Sequence, residues 1–259
     1  MQMQTFHPSP ALRPYIQSFL VIESEESRNN TVLPGLSVML AFRYSGSASY
    51  HTVDENTGTT LAPAVITGLR KTARLIHYAP HTANLVVQFT PGGAASLFKL
   101  PMHELFNESL SLDLLLPASE LQNVEEQLAL ATTTRQRIAI AEAYMLSQLR
   151  DISTPPLVQH AVQHITHAQG NISIKSLLSD LPTSRDVFEK KFRHFTGTTP
   201  KQFAGIVRLR HLITQHDNNE SLTRMALSAG YYDQAHFIKD FRSFTGKAPR
   251  AFFSNPVYW

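Results

Sequence analysis

The chain has 259 residues, of which 42% are hydrophobic and 17% charged, and its net charge is +3. This length is enough for two globular domains, and the composition excludes a disordered chain. The absence of cysteine excludes disulfides, thiolate zinc sites and cysteine nucleophiles, and it is compatible with a reducing cytoplasm. The sequence shows neither a signal peptide nor a stretch long enough to cross a membrane, so we expect a cytoplasmic protein without a membrane partner.

Residues 1 to about 110 have the pattern of strands and turns. Short apolar runs over residues 37–42 and 84–89 are bounded by Pro, Gly and Asn, which is typical of strands. A turn follows the second run, and residues 94–98 are expected to begin a short helix. The N-terminal part is therefore predicted to be rich in β-structure.

From residue 119 to residue 150 the hydrophobic period becomes helical, with a break at residues 132–134. Ser119 and Thr134 are the expected N-caps of the two helices. Two apolar stripes can either form a homodimer interface or pack on their own domain, and both interpretations stay open. They consist of Leu121, Val124 and Leu128 in the first helix, and of Ile138, Ala141, Met145 and Leu149 in the second.

Residues 151–156 contain two consecutive prolines and are the expected linker between two domains, residues 1–150 and residues 151–259. Every segment after the linker has a helical pattern. Caps and breakers predict helices over residues 157–168, around 174–178, from Ser184 to about 195, 200–213, from Ser221 to about 229, from Asp233 to 244, and a terminal turn from Pro249.

Charge is unevenly distributed between these domains. Residues 151–259 contain 13 Lys and Arg against 8 Asp and Glu, whereas residues 1–150 contain 10 against 12. A basic C-terminal domain joined to a mildly acidic N-terminal one suggests that the C-terminal domain binds nucleic acid.

The C-terminal domain contains an internal repeat. Residues 192–203 return as residues 241–252, 49 positions later, with Phe, Arg, Phe, Thr, Gly, Pro and Phe at matching places. Two copies are too few for a solenoid. A duplicated basic helical unit indicates one kind of contact made at two places, and double-stranded DNA, with its repeating grooves, is the partner that fits best.

Each copy has a short helix, a turn and a second helix with a basic exposed face, which is the helix-turn-helix arrangement. In the second copy Ala229 and Gly230 make the turn, and Phe237 and Phe241 supply the packing face. The second helix of such a unit can lie in the major groove and present its first turns to base edges.

At this point the sequence resembles a known family, the AraC/XylS-type transcription regulators, over roughly residues 155–253. The resemblance rests on residues 229–241, which combine glycine, aromatic, Asp-Gln and His-Phe positions, and on the Thr-Gly-Lys-Ala-Pro of residues 245–249. Arg208 and Leu209 are similar to an arginine-leucine pair of the family. The resemblance implies two helix-turn-helix units, held apart by the helix over residues 200–213, that enter successive major grooves of DNA.

The resemblance also implies which side chains contact DNA. Base-reading positions are expected at Arg185, Asp186, Glu189 and Lys190 in the first unit, and at Asp233, Gln234, Ala235, Ile238 and Lys239 in the second. Their chemistry fits, since Arg can pair with guanine, Gln with adenine and Glu with cytosine, while Ile can contact a thymine methyl. Phosphate contacts are expected from Lys191, Arg193, Arg242 and Lys247, and Lys190 is also suited to this role.

The first unit departs from the family pattern. Leu178 stands where alanine is usual, and Leu181-Pro182 stands where a glycine turn is common. Asp186 and Glu189 also place two carboxylates beside the groove. We therefore expect the first unit to have an unusual specificity or to bind weakly.

The N-terminal domain is similar to a sensory-type domain often found ahead of this DNA-binding domain, over about residues 8–115. The resemblance implies a cupin-like β-barrel with trailing helices, and such a barrel can hold a small-molecule effector in its mouth. The candidate residues for an anionic effector are Arg70, Lys71, Arg74, His77 and His81.

Histidines do not indicate a metal site. His160, His164 and His167 share one helical face, but no carboxylate at ligand spacing accompanies them. His77 and His81 lack the His-x-His spacing of metal-binding cupins. No metal and no cofactor are therefore expected.

The sequence as a whole predicts an α+β two-domain protein, with a β-rich cupin-like barrel and trailing helices followed by an all-α domain. It predicts a non-enzymatic DNA-binding regulator of transcription that acts with the transcription machinery under effector or dimer control; activation and repression both fit. Two alternatives stay open: an enzyme on the barrel with a DNA-targeting domain, and an architectural DNA binder without an effector.

Overall fold

The computed structural model describes residues 1–52, 58–150, 152–179, 183–216 and 221–254, apart from the side chain of Thr52. The described strands are β1 (Gln2–Phe6), β2 (Ile16–Ser24), β3 (Arg28–Val32), β4 (Met39–Ser45), β5 (Ala48–Thr52), β6 (Thr59–Thr60), β7 (Ala64–Thr67), β8 (Arg74–Tyr78), β9 (Thr82–Phe89) and β10 (Ser109–Ser111). The described helices are α1 (Ala118–Leu130), α2 (Thr134–Gln148), α3 (Pro156–His167), α4 (Ile174–Leu178), α5 (Arg185–Thr196), α6 (Pro200–Thr214), α7 (Leu222–Ser228), α8 (Gln234–Thr245) and α9 (Pro249–Phe253).

The strands form two antiparallel sheets, with orders β1-β2-β9-β4-β7-β10 and β3-β8-β5-β6. The central strand β9 is buried along nearly its whole length, whereas the edge strand β1 is almost entirely exposed. The β-rich N-terminal domain is confirmed, and a cupin-like architecture is compatible with it. A closed barrel is not observed, because in the described part of the chain no ladder of hydrogen bonds joins the two sheets.

The helices α1 and α2 follow the sheets and pack on the six-stranded one. Leu121, Val124 and Leu128 are buried, and α1 packs on β4. In α2 the Tyr144 ring meets the Phe42 ring of β4 edge to face, with centroids 6.0 Å apart. Most of the apolar stripe surface therefore packs on its own domain, which leaves little of it for a dimer interface.

The caps of these helices differ from the expected ones by two residues in α1 and by one in α2. Ser119 lies inside α1, which begins after Pro117. Thr133 rather than Thr134 caps α2, because its hydroxyl accepts from the Gln136 N–H while the Gln136 side chain accepts from the Thr133 N–H. This reciprocal pair is a capping box.

The predicted linker is anchored to the N-terminal domain. The Arg150 N–H donates to the Ser96 carbonyl at 3.0 Å, and Thr154 is buried. Thr154 packs against Gly92, whose φ of +93° and lack of a Cβ allow this approach. Asp151 lies outside the described residues, and the division at residue 150 stays a prediction.

The repeat produces two nearly identical helices, α5 and α8, of 12 residues each. Ser184 and Asp233 cap their N-termini, and Gly197 and Gly246 end them with positive φ. The residue before each glycine is a buried threonine whose hydroxyl donates to the carbonyl four residues earlier, at 2.8 Å in both copies. The next helix then begins at Pro200 or Pro249.

The packing role expected of Phe237 and Phe241 is confirmed, and the equivalent phenylalanines of α5 lie in the core with them. Phe188, Phe192, Phe237 and Phe241 have no exposed surface, Phe244 is buried and Phe195 is half-buried. They belong to one hydrophobic cluster that runs without interruption from Leu12 in the N-terminal domain to Phe252. In the described residues, no helix is long and apolar enough to cross a membrane.

Polar contacts also join the two domains. The Ala73 N–H donates to the Phe244 carbonyl at 3.0 Å. The Arg210 guanidinium donates to the Pro34 carbonyl at 3.0 Å. Helix α5 packs against the turns over residues 93–96 and 102–105. Both helix-turn-helix units and the helix between them therefore contact the N-terminal domain.

Candidate nucleic-acid interface

The second helix-turn-helix unit consists of α7, a turn and α8. Met225 and Ala226 face the core, and Gly230 makes the turn with a φ of +72°. The Asp233 carboxylate then caps α8, since it accepts from the His236 N–H at 2.7 Å. This bond gives Asp233 a helix-capping role, and its contact with a base stays a prediction.

The predicted reading residues of α8 lie on its accessible face. Ala235 and Lys239 are exposed, and Gln234 is half-buried. Ile238 is also half-buried, and it packs partly against the core. The Thr223 hydroxyl of α7 donates to Gln234 Oε1 at 2.9 Å, which orients the Gln234 amide before any contact with DNA.

The first unit contains α4 and α5, and Leu181-Pro182, where a turn was expected between them, lies outside the described residues. Asp186 and Lys190 are exposed on α5. Arg185 Nε donates to Glu189 Oε1 at 2.8 Å, one helical turn away, and this bond raises the pKa of Arg185. The two side chains therefore act as a pair: Glu189 holds Arg185, and each occupies part of the hydrogen-bonding capacity of the other.

The residues expected to contact phosphate are all exposed, and they are Lys191, Arg193, Arg242 and Lys247. In the part of the chain that the structure describes, none of the four forms an ion pair. Four cations on α5, on α8 and just after it are thus available for an anionic backbone.

Two arginines of helix α6 join it to the second unit and to the N-terminal domain. The Arg208 guanidinium lies over the Tyr231 ring, 4.5 Å from its centroid, and burial raises the pKa of Tyr231 to about 12. Tyr232, the next residue, is 93% exposed. Arg210 points the other way, to Pro34, and burial lowers its pKa. The helix therefore contacts the second unit on one side and the N-terminal domain on the other.

The structure separates the residues expected to hold an anionic effector. Arg70 and Arg74 are buried together, with 8% and 6% of their surfaces exposed. Lys71 is exposed, with Nζ 5.5 Å from the centroid of the Phe106 ring. His77 bonds to Asn29 at 2.8 Å, and His81 lies exposed beside Glu25 at 3.2 Å. Only the two arginines are brought into one buried site.

Two family models match the chain. Residues 177–255 match a family described as a helix-turn-helix domain, HTH_18, and the match begins at the end of α4 and covers α5 to α9. The chain carries an AraC-type helix-turn-helix domain. Residues 4–111, which contain part of β1 and all of β2 to β10, match a domain of unknown function, DUF6597.

A curated relative is the Msm operon regulatory protein of Streptococcus mutans, which is 26% identical over 136 residues. The match covers 51% of this chain and 49% of that protein, so the chain spans about half of its length. Among solved structures, ToxT from Vibrio cholerae is similar with a TM-score of 0.48 and 10% identity, over 98% of each chain. The AraC-like transcriptional activator CuxR has a TM-score of 0.29 and 12% identity, over 85% of this chain and 88% of that one.

Sequence reasoning missed several residues that matter to the site. Thr223 orients Gln234, yet it lies 11 positions away in another helix. Arg210 and Ala73 join the AraC-type domain to the N-terminal domain through backbone carbonyls, for which a sequence gives no signal. The pairing of Arg185 with Glu189 could have been predicted from the sequence, since side chains of opposite charge four residues apart on a helix lie close together.

Proposed function

We propose that this protein is a sequence-specific, DNA-binding regulator of transcription that inserts α5 and α8 into successive major grooves of one duplex. One observation supports this most directly. The two helices share caps, length and buried phenylalanines, and both present polar and basic side chains on the opposite, accessible face.

The reading residues divide into two kinds. Arg185 held by Glu189, and Gln234 held by Thr223, have the fixed geometry that direct base reading needs. Asp186, Ala235, Ile238 and Lys239 complete the two base-facing surfaces. Five cations contact the phosphates and position the protein without selecting a sequence, and they are Lys190, Lys191, Arg193, Arg242 and Lys247.

The N-terminal domain supplies the control. It contacts both helix-turn-helix units and α6, so a small-molecule effector or a second copy bound there acts on the orientation of the two recognition helices. Such a regulator acts in the cytoplasm, beside the DNA and the transcription machinery. The regulatory protein to which half of the chain is similar supports this role.

The test is a binding selection of the full chain on a pool of random duplexes at near-physiological salt. The full chain is used because its two domains share one hydrophobic core. Two enriched boxes about 10 base pairs apart are expected, since successive major grooves on one face are one helical turn apart. A single box would remove the first unit from base reading, and no enriched box would refute sequence-specific binding.

Two substitutions then separate the kinds of contact on the selected duplex. Gln234→Ala should weaken binding by roughly 5- to 150-fold on the selected site and little on random DNA. Lys190→Ala should weaken binding to both and reduce the slope of affinity against salt by about one unit. Equal losses on both DNAs for Gln234→Ala would contradict its assignment to a base.

A further inference from the structure

The segment between β7 and β8 buries a cationic residue in the interior of the N-terminal domain. Its backbone is fixed, since the Gly68 N–H donates to the Glu108 carbonyl at 3.1 Å and the Asn107 N–H to the Leu69 carbonyl at 2.8 Å. Arg70 follows directly and is 8% exposed. Its guanidinium is therefore held in the interior by its own backbone.

Among the residues that the structure describes, Arg70 has no partner of its own there. Within the described ranges, no hydrogen bond and no ion pair joins its side chain to another residue. Burial, and then the charge of Arg74, lower the pKa of Arg70 to about 10. The group still carries its charge at neutral pH, and a buried charge without a counter-charge is strongly destabilising.

Arg74 and Tyr78 lie close enough to Arg70 to interact with its charge, and both side chains are hydrogen-bond donors. Arg74 donates to Ser109 Oγ at 2.6 Å and to the Asn107 carbonyl, and its guanidinium lies 4.3 Å from the centroid of the Tyr50 ring. Tyr78 is close enough for the charge of Arg70 to act on it, and burial raises the pKa of Tyr78 to about 12. Its phenol is therefore protonated and suited to donate.

We propose that a small molecule bearing a carboxylate or phosphate group binds at Arg70 and Arg74, and that it controls the second helix-turn-helix unit. A guanidinium binds either group in bidentate fashion, and the bound anion would supply the counter-charge that none of the described residues gives Arg70. The binding step stands on the local contacts alone. The control step rests on the function proposed above.

The control step follows from the position of Ala73, three residues after Arg70. Its N–H donates to the carbonyl of Phe244 in the last turn of α8. Carbonyls in the last turn of a helix lack partners within the helix, so Ala73 satisfies one of them from the other domain. An anion that draws Arg70 toward it moves the segment that holds the end of α8.

Thermal denaturation of the full chain tests the binding step, with inorganic phosphate, acetate and neutral acetamide as probes at constant ionic strength. At least one of the two anions should raise the Tm of the wild type, and acetamide should not, because a ligand stabilises the state that binds it. Phosphate alone or acetate alone identifies the class of oxyanion. No shift with either anion would overturn the proposal.

Three variants test where the anion binds. Lys71→Gln removes a neighbouring exposed charge and should keep the shift, whereas Arg70→Met should lose it. Arg70→Lys keeps the charge without the guanidinium fork and should show a smaller shift. Without any anion, Arg70→Met should melt no lower than the wild type, since it removes an uncompensated buried charge. A lower Tm would show that Arg70 has a partner within the protein and would overturn the proposal.

The control step is tested by affinity for the selected duplex with and without the anion that shifts the Tm. A change in affinity that Arg70→Met abolishes and Lys71→Gln keeps is expected. Unchanged affinity in the wild type, alongside an Arg70-dependent Tm shift, would refute control of the second unit. A protein that binds no duplex under any condition would refute the DNA-binding function, while the Tm shift would still decide the anion site.

Discussion

Gly68 lies in the segment that carries Arg70, at a point where the backbone of this segment packs directly against Leu105. A Cβ added to Gly68 would lie 2.6 Å from the Leu105 carbonyl carbon and 2.7 Å from Leu105 Cβ, and still closer to the carbonyl oxygen. To reach the 3.4 Å of ordinary contact, the added Cβ and the Leu105 carbonyl carbon would have to separate by about 0.8 Å, and the Cβ and the carbonyl oxygen by more. Both are fixed, since the Gly68 N–H bonds to Glu108 and the Asn107 N–H to Leu69.

Gly68→Ala should therefore destabilise the protein. Overpacking of this kind costs about 1–3 kcal/mol. For a chain of this size the loss corresponds to a Tm lower by about 2–12 °C. Differential scanning calorimetry of the full chain measures it directly.

Gly205→Ala is the matched control, with the opposite sign. Gly205 lies within α6, and a Cβ there would have nothing within 4 Å. Alanine restricts the unfolded chain and favours the helix, so the protein should gain about 0.5–1 kcal/mol. If Gly68→Ala melts at or above the wild type, the segment is not pressed against Leu105 and the reasoning is wrong. A lower Tm for Gly205→Ala would refute the open space beside α6.

Three further predictions concern the AraC-type domain. The losses of DNA affinity caused by Arg185→Ala and Glu189→Ala should not add up in the double variant, because Glu189 holds the Arg185 side chain. Additive losses in a double-mutant cycle would show that each residue contacts DNA independently. Thr245→Val should destabilise the protein by about 1–3 kcal/mol in a urea titration, since the buried Thr245 hydroxyl donates to two backbone carbonyls. Ser243 is exposed, so Ser243→Ala should leave the free energy of unfolding unchanged in the same titration. Arg210→Met keeps the packing of the side chain and loses its hydrogen bond to the Pro34 carbonyl, so Tm should fall by the equivalent of about 1 kcal/mol. An unchanged Tm would show that this bond adds no stability.

The C-terminal helices were predictable because their signals are local. Ser184 and Asp233 are side-chain caps, Pro200 and Pro249 occupy first turns, and the structure has helix ends at or within a residue or two of those expected. Among three consecutive threonines the sequence had a deciding signal at Thr133, since only it has a glutamine three residues later and can form a capping box with it.

The contacts between domains and the pairing of the strands could not be predicted, because they depend on backbone N–H and carbonyl groups, which every part of the chain offers. The contact from Ala73 to Phe244 joins a backbone N–H to a backbone carbonyl, so neither side chain marks it. The burial of Arg70 could not be predicted either, since the sequence does not distinguish a buried arginine from an exposed one. In the N-terminal domain the strands were expected, but their division into two sheets is set by long-range pairing, such as that of β2 with β9.

The uninterrupted hydrophobic cluster from Leu12 to Phe252 limits how this protein can be rebuilt. A chimaera that joined this AraC-type domain to a foreign sensor would expose the apolar surface that α5 now presses against residues 93–105, and it would leave the Phe244 carbonyl without its donor. Such modules cannot be exchanged at residue 150 as independent parts. A working hybrid has to carry the matching turn and the segment over residues 68–74 along with the helices that they hold.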